Sequence, residues 1–201
     1  MAHTALDIFP REEADIIFST ARGRAIQSYS LVENSLVSLF AHLMGINIAI
    51  AGIPFFRLNN ARARNAILER LMKKKHGGAY NIFFNSLVKK LGILDGTRNN
   101  IVHWAVTIQI PEGVRKIRLV PPNYWDADEN TPYLELNNVY DFILECDFYQ
   151  KLIRMFVIVI SEQFLKNGST SGPEKHATMQ QIFQQPIIYP PPDNHVLYRK
   201  P

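Results

Sequence analysis

Cysteine is almost absent from this chain. Cys146 is the only one, so no disulfide framework and no thiolate metal site can be built from it, and a reducing cytoplasm is the expected setting. Long hydrophobic runs are missing too. The longest run of apolar side chains, Met155 to Ile160, falls far short of the about 20 residues that a membrane span requires. The opening MAHTALDIFPREEAD lacks the basic start and apolar core of a secretion signal, so no membrane partner is expected. There is no Gly-rich phosphate loop and no zinc signature. His42, His76, His176 and His195 stand apart in sequence without metal-ligand spacing, so neither a metal nor a cofactor is expected. Ser86-x-x-Lys89 lacks the companion motifs of an acyl-transfer site.

What remains is a chain able to build a core. Hydrophobic residues make up 47% of the 201 and charged residues 20%, with a formal net charge of +4; that balance excludes wholesale disorder and leans toward anionic partners. Helical spacing dominates. Pro10 before Arg11-Glu12-Glu13 starts a first helix. It runs to Met44 on a stripe of Ala25, Tyr29, Val32, Leu36, Leu39/Phe40 and Leu43, with Gly23 as a point of kinking and Gly45 as its stop. Ile46 to Phe56 contains Gly52-Ile53-Pro54 and is expected to be a packed connection. Asn59 or Asn60 caps a second helix through about Lys75, ended by His76-Gly77-Gly78, and a third spans Tyr80 to Leu91. Leu94-Asp95-Gly96 reads as a turn, with Thr97 as the N-cap of a short helix opening at Arg98.

The period then changes to two. Val106, Ile108 and Ile110 alternate with polar residues, Pro111-Glu112-Gly113 turns, and Ile117 and Leu119 alternate again, which predicts a β-hairpin near 105–120. A last long helix is expected from Asn137 or Asn138 to Leu165. Beyond Asn167 the Gly/Ser/Pro-rich composition reads as a linker and tail. The expected organisation is therefore a mainly α bundle over 1–166 with a small hairpin, and a C-terminal tail over 167–201.

One segment carries chemistry. Arg98-Asn99-Asn100-Ile101-Val102-His103 places an Arg and a His with four residues between them, and this stretch resembles the active-site motif of the HEPN superfamily of small helical-bundle ribonucleases. The wider order fits that resemblance over about residues 11–166: a long first helix with an acid at Glu33, shorter middle helices, the motif, and a long last helix. The hairpin is an addition to the minimal family pattern. The resemblance implies a metal-independent RNA endonuclease, of a kind often serving as a toxin or defence effector held by a protein antitoxin. It also implies a homodimer with the two motifs face to face. The residues suit that chemistry. Imidazole titrates near neutrality and moves protons, and a guanidinium matches phosphate oxygens as a planar fork. At the first turn of a helix capped by Thr97, Arg98 would also share the anion-favouring helix start. Asn99 and His103 lie four apart and share a face, whereas Arg98 and His103 are separated by about 140° around the helix. His103 is thus the expected proton-transfer residue, Arg98 the charge stabiliser, Asn99 an orienting group, and Glu33 a supporting carboxylate for Arg98.

The alternative is a noncatalytic dimeric module that binds RNA or a protein, with Arg98 and His103 packing a turn. Arg62, Arg64, Lys73 and Lys74 belong to a basic stretch that reads either as an RNA track or as a solvated face. Trp104, Tyr124 and Trp125 are candidates for stacking on bases or for the rim of the hairpin. The run Met155–Ile160 is apolar all round, which places Val157, Ile158 and Val159 at or near a dimer interface.

Overall fold

A computed structural model of the chain describes residues 11–58, 60–109, 116–122, 131–162 and 172–198. Among them are six helices and one antiparallel pair of strands: α1 (Arg11–Met44), α2 (Ile48–Arg57), α3 (Ala61–His76), α4 (Asn81–His103), β1 (Ala105–Gln109), β2 (Lys116–Val120), α5 (Leu136–Ile160) and α6 (Gly172–Ile182). The protein is mainly α with a small hairpin, as its periodicity predicts. Pro10, Asn59, Tyr124, Trp125 and the turn at Pro111–Gly113 lie outside the described residues.

The chain divides into two compact units. One comprises the described parts of Met1–Ser30 and Leu94–Cys146, the other those of Leu31–Ile93 and Asp147–Pro201. The division falls inside α1, α4 and α5, so each unit is assembled from distant stretches of sequence.

In the first unit, α1 contributes Phe18, Ala21, Ala25 and Tyr29, all buried. Gly23 is exposed and leaves the helix unbroken. The hairpin pairs Ala105 with Val120 through Gln109 with Lys116. It is fastened to the start of α5 by paired backbone bonds between Leu119 and Leu134, each 2.9 Å. Arg118 reinforces the seam, donating through Nε and Nη2 to Glu135 at 3.2 and 3.1 Å while covering the Tyr133 ring at 3.8 Å.

In the second unit, α1 ends where Gly45 turns to φ +69°, a left-handed conformation that glycine adopts at no steric cost. Gly45 and Ile46 donate back to the carbonyls of His42 and Ala41. The stretch expected to be a packed connection is the helix α2. The Asn47 side chain caps it by accepting from Ala49 N at 2.8 Å, and Ala51 and Phe55 are buried. Pro54 lies inside this helix on an exposed face. Asn60 caps α3, accepting from Arg62 N and Ala63 N. Gly77 at φ +58° closes it.

Residues 172–198 are part of the second unit and not a tail. Pro173 and Glu174 suit the first turn of α6. Phe183 is 0% exposed and meets the rings of Phe83 and Phe156 at centroid distances of 4.8 and 5.0 Å. Ile187 N donates to Ser86 Oγ at 3.0 Å, and His176 Nε2 donates to the Val159 carbonyl at 3.1 Å. This packing also corrects the reading of the apolar run on α5. Phe156, Val159 and Ile160 are buried within the chain, leaving Val157 and Ile158 half-buried, so the surplus that pointed to a dimer there is largely covered intramolecularly.

Candidate functional site

The segment 94–103 belongs to the first unit, where α4 passes through it without interruption. The expected turn at Leu94-Asp95-Gly96 is absent. Leu87, Leu91, Leu94 and Ile101 are buried at three-, four- and seven-residue steps, and burying that stripe requires helical phase across Gly92 and Gly96. The cost of glycine in a helix interior, about 1 kcal/mol each, is small beside about 1.5–3 kcal/mol for each large apolar side chain buried. Thr97 is consequently an interior helical residue and not an N-cap. Arg98 lies well inside the helix, away from the free N–H groups of a helix start.

Arg98 occupies the next position of the buried stripe, four residues after Leu94 and three before Ile101. Half-buried there, its guanidinium lies 5.9 Å from the centre of the Tyr29 ring, and Nη1 donates to Asn99 Oδ1 at 3.0 Å. Tyr29 is fixed in turn by its hydroxyl, which donates to Asp95 Oδ1 at 3.0 Å, and by the Phe142 ring at 6.3 Å. Asn99 thus acts on Arg98, its amide oxygen accepting from the guanidinium. His103 is in the last turn of α4 and exposed, off the buried stripe.

One residue that sequence reasoning missed is Arg22. Its Nη2 donates to the carbonyls of Val102, at 2.6 Å, and Trp104, at 3.2 Å, on either side of His103. A cation there satisfies carbonyls that a helix end leaves orphaned and offsets the negative end of the helix dipole. The signal was legible: Phe18, Arg22, Ala25, Tyr29 and Val32 continue one three-and-four spacing. The C-terminal end of α4 therefore carries His103 with the Arg22 guanidinium beside it, while Arg98 lies five residues earlier over Tyr29, and β1 leaves α4 directly after half-buried Trp104.

The remaining candidates lie in the second unit. Glu33, expected to support Arg98, accepts instead from Arg64 Nη1 at 2.8 Å, and Arg64 also lies over the Phe55 ring at 5.4 Å. Lys73 pairs with Glu69 at 2.8 Å, whereas Arg62 and Lys74 are exposed. Glu33 and Arg64 thus form a partly buried brace for α1 and α3, so of the expected RNA track only part remains as solvated cations.

Two histidines that stand apart in sequence meet in space. The rings of His42 and His76 lie 6.4 Å apart at 18°, and His76 abuts Tyr80 edge-on at 5.8 Å. Burial, aided by the charge of Lys75, lowers the pKa of His76. His195 is also lowered by burial, beside Phe148. Among the described residues no three His, Cys, Asp or Glu side chains gather as metal ligands. No family model matches the chain, nor does any curated protein or solved structure.

Proposed function

We propose that the C-terminal half of α4 is a metal-independent RNA-cleaving centre of the HEPN type, in which His103 transfers protons and Arg98 stabilises charge on the phosphate. The observation that carries this reading is the exposure of His103 on a helix whose Arg98 guanidinium is held by Tyr29 and Asn99. A histidine serving only the core would be covered. A solvent-facing imidazole can meet a substrate, and a braced guanidinium loses little freedom when phosphate arrives.

RNA supplies its own nucleophile. A base removes the 2′-hydroxyl proton, the oxygen attacks phosphorus, and the 5′-oxygen leaves with a proton from an acid, giving a 2′,3′-cyclic phosphate. Charge that builds on the phosphoryl oxygens is met by Arg98, with Arg22 keeping the negative helix end from opposing it. One chain provides one such histidine, so the base and acid are the His103 residues of two copies facing each other.

The test pairs RNA cleavage in EDTA with thermal melting on the same preparations. His103→Ala should lose about 10²–10⁴-fold in rate at unchanged melting temperature, the usual scale for general acid–base catalysis. Arg98→Lys should also be impaired, because a point charge does not reproduce the fork. Equal cleavage by wild type and His103→Ala would refute the proposal. A second reading rests on the position of Arg98 in the buried stripe: a noncatalytic module that binds RNA or a protein, in which Arg98 is structural. It is favoured if Arg98→Lys melts well below wild type while RNA stays intact.

A further inference from the structure

Helix α2 reverses the ordinary pattern of a surface helix. Its sequence, Ile-Ala-Ile-Ala-Gly-Ile-Pro-Phe-Phe-Arg, contains a single polar side chain, Arg57. Ala51 and Phe55 fill the inward face, yet the outward arc is just as apolar. Ile48, Ile50, Ile53 and Phe56 are 51, 59, 68 and 49% exposed, and Ile46 in the preceding turn is 37% exposed. A water-facing helix normally turns charges outward, and a contiguous apolar patch of this kind marks a surface that another phase or molecule covers.

The charges around the patch identify what covers it. No Asp or Glu occurs between Glu33 and Glu69, and Glu33 is neutralised by Arg64. Cations stand at both ends of α2. Arg57 borders the same shallow depression as Gly52, Ile53 and Phe56. At the other end Lys75 Nζ donates to the His42 carbonyl at 2.7 Å, the same carbonyl that Gly45 N reaches in the turn before α2. A second copy docking through this face would bring two positive rims together, and nucleic acid would gain nothing from buried isoleucines. An anionic bilayer surface offers both an acyl boundary for the apolar arc and headgroup phosphates for the rim. Taken alone, α2 is too short to span: ten residues rise about 15 Å against a hydrocarbon core of about 30 Å. No single described helix is long and apolar enough to cross a membrane.

We propose that α2 is a membrane-surface anchor, seating Ile46, Ile50, Ile53 and Phe56 at the headgroup boundary of an anionic bilayer with Arg57 and Lys75 on the phosphates at its two ends. This anchor is independent of the chemistry proposed for α4.

Sedimentation of the full chain with phosphatidylserine/phosphatidylcholine vesicles, and with phosphatidylcholine alone, tests it. Wild type should pellet with the anionic vesicles and far less with the neutral ones. Ile53→Asp should weaken the partitioning by about tenfold or more, given the transfer energy of one exposed isoleucine. Arg57→Gln should weaken it by about fivefold, and only at low salt. Both positions are solvent-facing, so circular dichroism melts should match wild type, and His103→Ala should bind vesicles as wild type does. Failure to pellet with anionic vesicles, or equal pelleting by Ile50→Asp/Ile53→Asp, overturns the proposal. So does a lipid-free dimer that Ile53→Asp converts to monomer, which would make a second copy the occupant. Oligoribonucleotide binding that Ile53→Asp abolishes would likewise assign the face to RNA.

Discussion

Phe183→Ala is the sharpest test of the C-terminal packing. The ring is 0% exposed and contacts Phe83 and Phe156, which themselves lie 4.8 Å apart. Truncating a fully buried Phe removes its transfer energy and leaves a cavity, a combined cost of about 3–5 kcal/mol. The two aromatic contacts account for about 0.5–1.5 kcal/mol each of such interactions. For a protein of this size each kcal/mol moves the melting temperature by about 2–4 °C, so a fall of roughly 6–20 °C is expected. Urea titration followed by far-ultraviolet circular dichroism should show the midpoint falling with the slope retained. Val196→Ser, at a site 47% exposed in the same segment, provides the control and should stay within about 0.5 kcal/mol of wild type. A loss under about 1 kcal/mol for Phe183→Ala would mean that the segment is a detached tail.

Cys146 is buried, and burial with some help from Glu145 pushes its pKa up to about 12. At about pH 8 roughly one thiol in 10⁴ is then ionised, so Ellman's reagent should label the native protein about 10³-fold more slowly than the urea-unfolded chain; equal rates would contradict the burial. A second expectation concerns acid. His76 and His195 have folded-state pKa values below the ordinary 6.5, chiefly from desolvation. The unfolded chain therefore binds protons first, so stability is full above about pH 6.5 and declines as the pH falls toward the lowered values. Urea midpoints between about pH 7.5 and about pH 5 should trace that decline, and His76→Asn should flatten it. A midpoint rising toward acid in wild type would reverse the sign and refute the assignment.

The sequence disclosed those elements in which one face differs from the other. The two ends of α1, the cap at Asn60, the hairpin and the start of α5 all follow from spacing, Gly or Asn at termini, and the change of period at Val106, whereas α5 ends at Ile160, short of the expected Leu165. What misled was local chemistry outweighed by burial. Gly92 and Gly96 signal a break, but Leu94 and Ile101 keep α4 whole; Gly52 and Pro54 signal a loop, but Ala51 and Phe55 hold a helix. The site was legible as residue types at a spacing. Its partners were not, because Tyr29 to Asp95, Arg22 to Val102 and Glu33 to Arg64 join positions 66, 80 and 31 residues apart. No local pattern encodes those meetings.

The second unit is closed by bonds across about a hundred residues, from Tyr80 to Gln180 and from Ser86 to Ile187. A ribosome delivers roughly 5–20 residues each second, so roughly 5–20 seconds separate the emergence of Phe83 from that of Phe183. During that interval α4 and α5 present aromatic surface without its final cover. Nascent chains of this protein are thus targets for chaperone capture until α6 emerges, and the second unit is completed only once α6 has been translated.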